Sequence, residues 1–171
     1  MKTSLRIALW VAVLSVVTGC GGDKTRTVKN DASVQKFEIR LLGEKPANLT
    51  AALVGLSGLD ASARGAPLEV EPAADRVDLT VPNQAWLIGK VAVPEGVTEV
   101  DFSLRFDDAG GYESAAGNGA LEARGAEVRW RAPVEWLQTH GHVVVHVDLS
   151  RSLVYRGVDT ARLLPNASIH Y

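Results

Sequence analysis

Apolar and polar residues alternate along much of this chain, and a period of two is the spacing of half-buried β-strands. The clearest example is residues 100–107, where Val, Phe, Leu and Phe alternate with Asp, Ser, Arg and Asp. Residues 143–149 repeat the pattern, with Val143, Val145 and Val147 on one face. We therefore expect each segment to place one face in a core and the other in water.

Further strand candidates recur at short intervals between segments rich in Gly, Pro and Asp. They are residues 34–42, 51–59, 68–70, 77–81, 85–93, 121–124, 127–132 and 162–171. Residues 121–124 and 127–132 are predicted to form a hairpin around Gly125, and the glycines at 110–111 and 117–119 are predicted to bracket a loop. Residues around Leu137 and residues 150–155 are long enough for one short helical turn each. This pattern predicts an all-β fold, an antiparallel β-sandwich of the immunoglobulin or transthyretin type over residues 34–171.

The N-terminus carries a different pattern. Lys2 and Arg6 precede an apolar run that is too short to span a bilayer, and the small residues Val-Thr-Gly then precede Cys20, the only cysteine. This arrangement predicts a bacterial lipoprotein signal peptide over residues 1–19, with Cys20 becoming the acylated first residue. Gly21, rather than Asp, at the next position favours onward sorting to the outer membrane.

Residues 20–33 are polar and aperiodic, so they are predicted to form a flexible tether between the lipid and the domain. Loss of residues 1–19 removes Lys2 and Arg6, which changes the formal net charge from −2 to −4. A mildly acidic chain without a stripe of Lys and Arg is unsuited to binding nucleic acid. With Cys20 acylated, no thiol is left for a disulfide or a metal site.

Four histidines lie in the C-terminal region. On a continuous strand His140 and His142 would share a face about 7 Å apart, and His146 would lie about 13 Å beyond them. A zinc site would need a third ligand, such as His170 or Asp148. The simpler interpretation is a solvated sheet face, so no metal site is predicted, and His140 and His142 are retained as weak candidates.

Aromatic residues offer a second kind of candidate site, because an exposed ring can stack on the apolar face of a sugar. Trp130 lies in an alternating segment that places it inward, and Trp86 has apolar neighbours, so both are predicted in the core. The surroundings of Trp136 leave its placement open. A carbohydrate site would require Trp136, Tyr112 or Tyr155 to be exposed beside polar groups.

Known catalytic and cofactor motifs are not found in the sequence. There is no Gly-x-Ser-x-Gly elbow, phosphate loop or His-Glu-x-x-His motif, and no cofactor is predicted. Ser150 and Ser152 follow Asp148, and a turn in which Asp148 or Ser150 caps backbone amides accounts for them. Residues 107–111 (DDAGG) do not have the ligand spacing of a calcium loop, so we expect a turn there.

The C-terminal half carries two short motifs. Residues 148–153 (DLSRSL) follow a hydrophobic strand, residues 163–165 (LLP) begin a second motif, and the chain ends in Ile169, His170 and Tyr171. In these motifs it resembles the DUF4382 domain family. The resemblance covers most of residues 36–171. It implies a β-sandwich found on bacterial lipoproteins and surface proteins, without established catalytic residues.

Together these patterns predict a lipid-anchored protein of the cell envelope whose domain binds a partner or has a structural role, and is not an enzyme. The partner would be the membrane through Cys20, with another envelope protein or a polysaccharide at the domain. Two alternatives remain open: a carbohydrate-binding module, and a hydrolase or metal-binding protein that uses His140, His142 and His146.

Overall fold

The computed structural model describes residues 33–46, 48–157 and 159–171. The predicted signal peptide, Cys20 and nearly all of the predicted tether lie outside the described residues. Over the described part, the chain forms strands joined by short turns and two short helices. In chain order they are β1 Val34–Glu44, β2 Leu49–Ala63, β3 Ala66–Pro67, β4 Glu69–Pro72, β5 Arg76–Asp78, β6 Trp86–Pro94, β7 Glu99–Ser114, β8 Gly117–Glu122, β9 Glu127–Pro133, α1 Val134–His140, β10 His142–Asp148, α2 Leu149–Ser152, β11 Leu153–Tyr155, β12 Thr160–Leu163 and β13 Ala167–His170.

The strands form two sheets that pack face to face. The first sheet has the order β13-β10-β1-β6-β4, and the second has the order β11-β12-β8-β7-β2-β3, with β5 paired to β2 and β9 paired to β7. Most neighbouring strands are antiparallel, while β1 and β10, and likewise β8 and β12, run parallel. The predicted all-β sandwich is confirmed, and parallel pairs are an addition that local alternation does not reveal.

The core lies between the inward faces of the two sheets. The alternating residues of β7 are buried as predicted, and they meet the buried alternating residues of β1 and β10. These core residues are Phe37, Ile39, Leu41, Val100, Phe102, Leu104, Phe106, Val143, Val145 and Val147. Trp130 stacks on Phe102 with ring centroids 4.9 Å apart and planes 9° apart, which confirms its inward placement. Trp86 is partly buried against the core, and its indole N–H donates to the carbonyl of Asp78 at 2.8 Å.

β7 is longer than predicted and runs through the segment that we expected to be a turn and a loop. Residues 107–111 remain part of this strand, and residues 108–110 form a bulge opposite Val54. A Cβ atom on Gly110 would lie 2.3 Å from the carbonyl oxygen of Leu53, so the bulge requires glycine at this position. The predicted turn at 107–111 is therefore wrong, because a bulge absorbs these residues without ending the strand.

The predicted hairpin around Gly125 is also wrong. β8 and β9 do not pair with each other: β8 pairs with the second half of β7, and β9 pairs with its first half. Asp108 of β7 anchors the segment between β8 and β9. The backbone N–H groups of Arg124 and Ala123 in that segment donate to its Oδ1 at 2.6 and 2.9 Å. These two hydrogen bonds lower the pKa of the Asp108 carboxyl.

The predicted last strand at residues 162–171 divides at Pro165. β12 ends at Leu163 in the second sheet, and β13 begins at Ala167 in the first sheet. The short helical turn expected near Leu137 is confirmed as α1. Of the turn expected at residues 150–155, only residues 150–152 are helical, in α2, and Leu153–Tyr155 form β11 instead. Among the described residues, no helix is long and apolar enough to cross a lipid bilayer.

Candidate functional site

A cavity of about 560 Å³ opens where β11 and the turn between β7 and β8 approach each other. We call it the tyrosine cleft. Its walls are two tyrosines, two small polar residues and a rim of alanine and glycine: Asn48, Tyr112, Ser114, Ala115, Ala116, Gly117, Tyr155 and Gly157. The cleft therefore combines aromatic surface with neutral hydrogen-bonding groups.

The two tyrosines have different roles in the cleft. Tyr155, the last residue of β11, is 53% exposed, whereas Tyr112 of β7 is only 4% exposed. Their ring centroids lie 5.4 Å apart with an interplanar angle of 77°, an edge-to-face contact. Tyr112 thus supports the ring of Tyr155 from within the domain, and Tyr155 presents its surface to solvent.

The close approach of β12 to β8 positions Tyr155. β11 pairs with β12, and β12 pairs with β8, so Tyr155 is held two strands away from β8. Ala120 donates its backbone N–H to the carbonyl of Asp159 at 2.8 Å. A Cβ atom on Gly119 would lie 1.9 Å from that same carbonyl oxygen, so only glycine permits this approach.

The polar groups of the cleft are uncharged. The hydroxyl of Ser114 donates to the carbonyl of Gly117 at 3.0 Å and so orders the turn that forms one wall. Asn48 is exposed, with an amide that both donates and accepts hydrogen bonds. Among the described residues, none of those that line the cleft carries a formal charge. The cleft is consequently suited to a neutral ligand that has an apolar face and hydroxyl groups.

Sequence reasoning named three aromatic candidates, and the structure brings only two of them together. Tyr112 and Tyr155 share the cleft, although Tyr112 is buried and not exposed. Trp136 lies on α1, is 52% exposed and contacts the ring of Tyr171, with centroids 5.0 Å apart and an interplanar angle of 84°. Asn48 was not predicted as part of a ligand site, because its position in one cavity with Tyr155 depends on the pairing of distant strands.

The histidine arrangement predicted for one strand is wrong for His140. His140 is the last residue of α1, and Gly141 ends the helix with a left-handed φ of 75° before β10 begins at His142. The Nδ1 atom of His142 lies 2.8 Å from the carbonyl oxygen of His140, a local contact across this turn. The two side chains therefore do not share a strand face.

His146 instead meets His170 of the neighbouring strand. Their rings stack with centroids 4.0 Å apart, and His146 Nδ1 lies 2.6 Å from Glu44 Oε1. Ser168 Oγ lies 3.0 Å from His170 Nε2, as expected for alternate residues on one face of a strand. Within the described part of the chain, no group of three or more His, Cys, Asp or Glu side chains has a geometry that could hold a metal ion.

Asp148 forms a buried junction at the end of β10. Lys45 Nζ and Ser150 Oγ each donate to its carboxylate at 2.6 Å, and together they lower its pKa to about 2, with Lys45 the larger cause. The Ser152 hydroxyl donates to the carbonyl of Asp148 and accepts the N–H of Asn166. The predicted capping of backbone amides by Asp148 or Ser150 is wrong, since Asp148 accepts from side chains and Ser150 donates to it.

Comparisons with known protein families, curated proteins and solved structures found no match. The resemblance of residues 148–153 and 163–165 to the DUF4382 family therefore stays a prediction. The placement of the individual side chains is what supports a function.

Proposed function

We propose that this chain is a lipid-anchored protein of the bacterial cell envelope whose β-sandwich binds a ligand in the tyrosine cleft, without catalysing a reaction. One observation carries the binding role: the half-exposed ring of Tyr155 forms a wall of an open cavity of about 560 Å³. A large aromatic side chain left half in water, but held in place by a buried partner ring, is a preorganised contact surface.

The ligand class that fits this surface is a neutral saccharide. The apolar face of a pyranose ring matches the face of a tyrosine, while its hydroxyl groups pair with amide and hydroxyl groups such as those of Asn48 and Ser114. A charged sugar would find no opposite charge among the described residues that line the cleft. A polysaccharide of the envelope thus fits the cleft better than an anionic ligand.

The anchor is supported by the sequence around Cys20. A basic start, a short apolar run and small residues before a single cysteine form the pattern that lipoprotein processing requires. Acyl chains contribute about 0.8 kcal/mol per buried methylene, so two or more of them hold a protein stably at a membrane. The proposed location is the outer membrane.

The anchor is tested by expressing Cys20→Ser beside Thr25→Ser, a matched change in the predicted tether. We expect Thr25→Ser to fractionate with outer membranes, with a mass spectrum showing acylated Cys20 as the first residue, and Cys20→Ser to leave the membrane fraction. An unmodified Cys20, or retention of Cys20→Ser in membranes, would contradict the anchor.

The cleft is tested by titrating the detergent-purified, acylated protein with neutral β-linked glucose oligosaccharides and with a uronic-acid oligosaccharide of equal length. Tyr155→Ala should weaken binding of the neutral sugar about tenfold or more, because burial of an aromatic face contributes about 1.5 kcal/mol. Trp136→Ala is the matched control, since its side chain is equally exposed but lies outside the cleft. Equal losses of affinity for the neutral sugar in both variants, or preferential binding of the uronic-acid oligosaccharide, would argue against this site.

A further inference from the structure

The first described residues of the domain lie beside α1. Gln138 of α1 donates its amide N–H to Gln35 Oε1 at 2.9 Å, and the backbone N–H of Glu38 donates to the carbonyl of Gly141 just after the helix. Ser33 and Gln138 also line one small cavity of about 180 Å³. The chain that follows Cys20 therefore joins the domain next to this helix.

The same end of the domain exposes apolar and aromatic side chains. Val34 is 55% exposed and Trp136 is 52% exposed. β13 runs antiparallel to β10, so it returns toward the beginning of β10 and places Tyr171 against Trp136. We call this surface, formed by Trp136 and Tyr171, the α1 end.

Helix geometry explains why Trp136 points away from the core. Val134 and Leu137 lie three positions apart on one face of α1, and both are buried against the sandwich. Trp136 follows Val134 by two positions, or about 200° around the helix, which directs it outward. The contact with Tyr171 leaves the Trp136 side chain half exposed, so much of its apolar surface stays in unfavourable contact with water in the isolated domain.

A bilayer surface is the occupant that this geometry favours. Tryptophan and tyrosine combine an apolar body with a polar tip, and such side chains concentrate at the boundary between acyl chains and headgroups. From Cys20 to Ser33 the chain can span at most about 45 Å, so an anchored domain stays close to the bilayer with the α1 end at its point of attachment. Glu95 and Glu135 near this surface do not favour anionic lipid, which leaves zwitterionic headgroups as the matching chemistry.

We propose that the α1 end rests on the surface of the bilayer to which Cys20 is anchored, with the Trp136 ring in the headgroup region. This inference rests on the proposed lipid anchor and not on the tyrosine cleft. Its consequence is an oriented domain, because contact at the α1 end limits how the tethered sandwich turns relative to the membrane.

The test uses the full acylated protein in phosphatidylethanolamine vesicles whose acyl chains are brominated near the headgroup. Bromine quenches only tryptophans at membrane depth. The processed chain has Trp86, Trp130 and Trp136, of which Trp86 and Trp130 belong to the packed domain. Wild type, Trp136→Phe and the matched control Trp86→Phe are compared after flotation of the vesicles.

We expect quenching in wild type and in Trp86→Phe, and its loss in Trp136→Phe. Quenching that persists in Trp136→Phe would overturn the inference. So would the absence of quenching in a protein that floats with the vesicles, a result that would leave a protein partner as the occupant of the α1 end. An acylated protein that does not float would overturn the anchor and this inference together, so flotation separates the two failures.

Discussion

The tyrosine cleft and the α1 end expose aromatic rings to nearly the same extent, and each ring has an edge-to-face partner at about 5 Å. They differ in their surroundings. Tyr155 stands in a concave cavity beside neutral polar groups, whereas Trp136 projects from a short helix where the chain joins the domain. An exposed aromatic ring by itself therefore does not specify a ligand. The shape and polarity around it distinguish the proposed saccharide site from the proposed membrane contact.

β10 connects the two regions, because it begins just after α1 and ends at Asp148, just before the chain leads through α2 to Tyr155. A strand of this length spans roughly 20 Å. Substitutions at either end of β10 should therefore affect one region more than the other, and the following predictions use that separation.

The largest expected effect is at the buried face of α1. Leu137 is fully buried, and Leu137→Ala should lower the free energy of unfolding by about 2–5 kcal/mol, since it removes core contacts and leaves a cavity. Trp136→Ala, one position away on the exposed face, should cost less than about 1 kcal/mol. Chemical denaturation of both variants measures the difference. Similar losses of unfolding free energy in the two variants would mean that Trp136 contributes to the core and is not available to contact a membrane.

A smaller effect is expected at the turn that ends α1. Gly141 has a φ of 75° with open space around its Cβ position, so Gly141→Ala should cost about 1–2 kcal/mol through backbone strain alone. Gly125→Ala is the matched control, because Gly125 has a φ of 79° and equally open space but lies before β9. Both should lower the melting temperature, and only Gly141→Ala should increase hydrogen exchange in α1. Equal exchange in α1 would mean that Gly141 does not hold the helix end.

The smallest expected effect depends on pH and concerns the ion pair at the other end of β10, which solvent screens because the Lys45 side chain is 62% exposed. The pKa of Asp148 is lowered to about 2, chiefly by Lys45, so the ionised carboxylate stabilises the folded state fully above about pH 4. This stabilisation should disappear as the pH falls from about 4 to 2. Melting temperatures of wild type and Asp148→Asn should therefore differ at pH 7 and converge near pH 2. A difference that stays constant with pH would show that the ionised state of Asp148 does not contribute.

Several features could be predicted because they depend on neighbours in the chain. The alternation at residues 100–107 was sufficient to place Phe102 and Leu104 inward, and the alternation at residues 127–132 placed Trp130 inward on β9. The short helix α1 was harder to predict, since its seven residues are too few for a clear helical period. Gly141 was the available signal for its end, as a glycine just after a helix often adopts a left-handed conformation.

Other features could not be predicted because they depend on strand pairing between distant parts of the chain. The predicted hairpin at Gly125 assumed that consecutive strands pair, which is the common case, whereas here the long β7 accepts both β8 and β9. The stacking of His146 on His170 follows from the register of β10 with β13, and no local pattern contains that register.

Local side-chain periodicity was enough to establish the class of fold and the inward faces of its main strands, because burial alternates with every residue of a strand. The motif at Cys20 is equally local, and it carries the proposed anchor without reference to the domain. Only tertiary structure decided that Tyr112 lies beneath Tyr155, that Asn48 lines the same cavity, and that Tyr171 contacts Trp136 edge-to-face. Those contacts join residues that are far apart in the chain, and their geometry is set by sheet order and register rather than by any single segment.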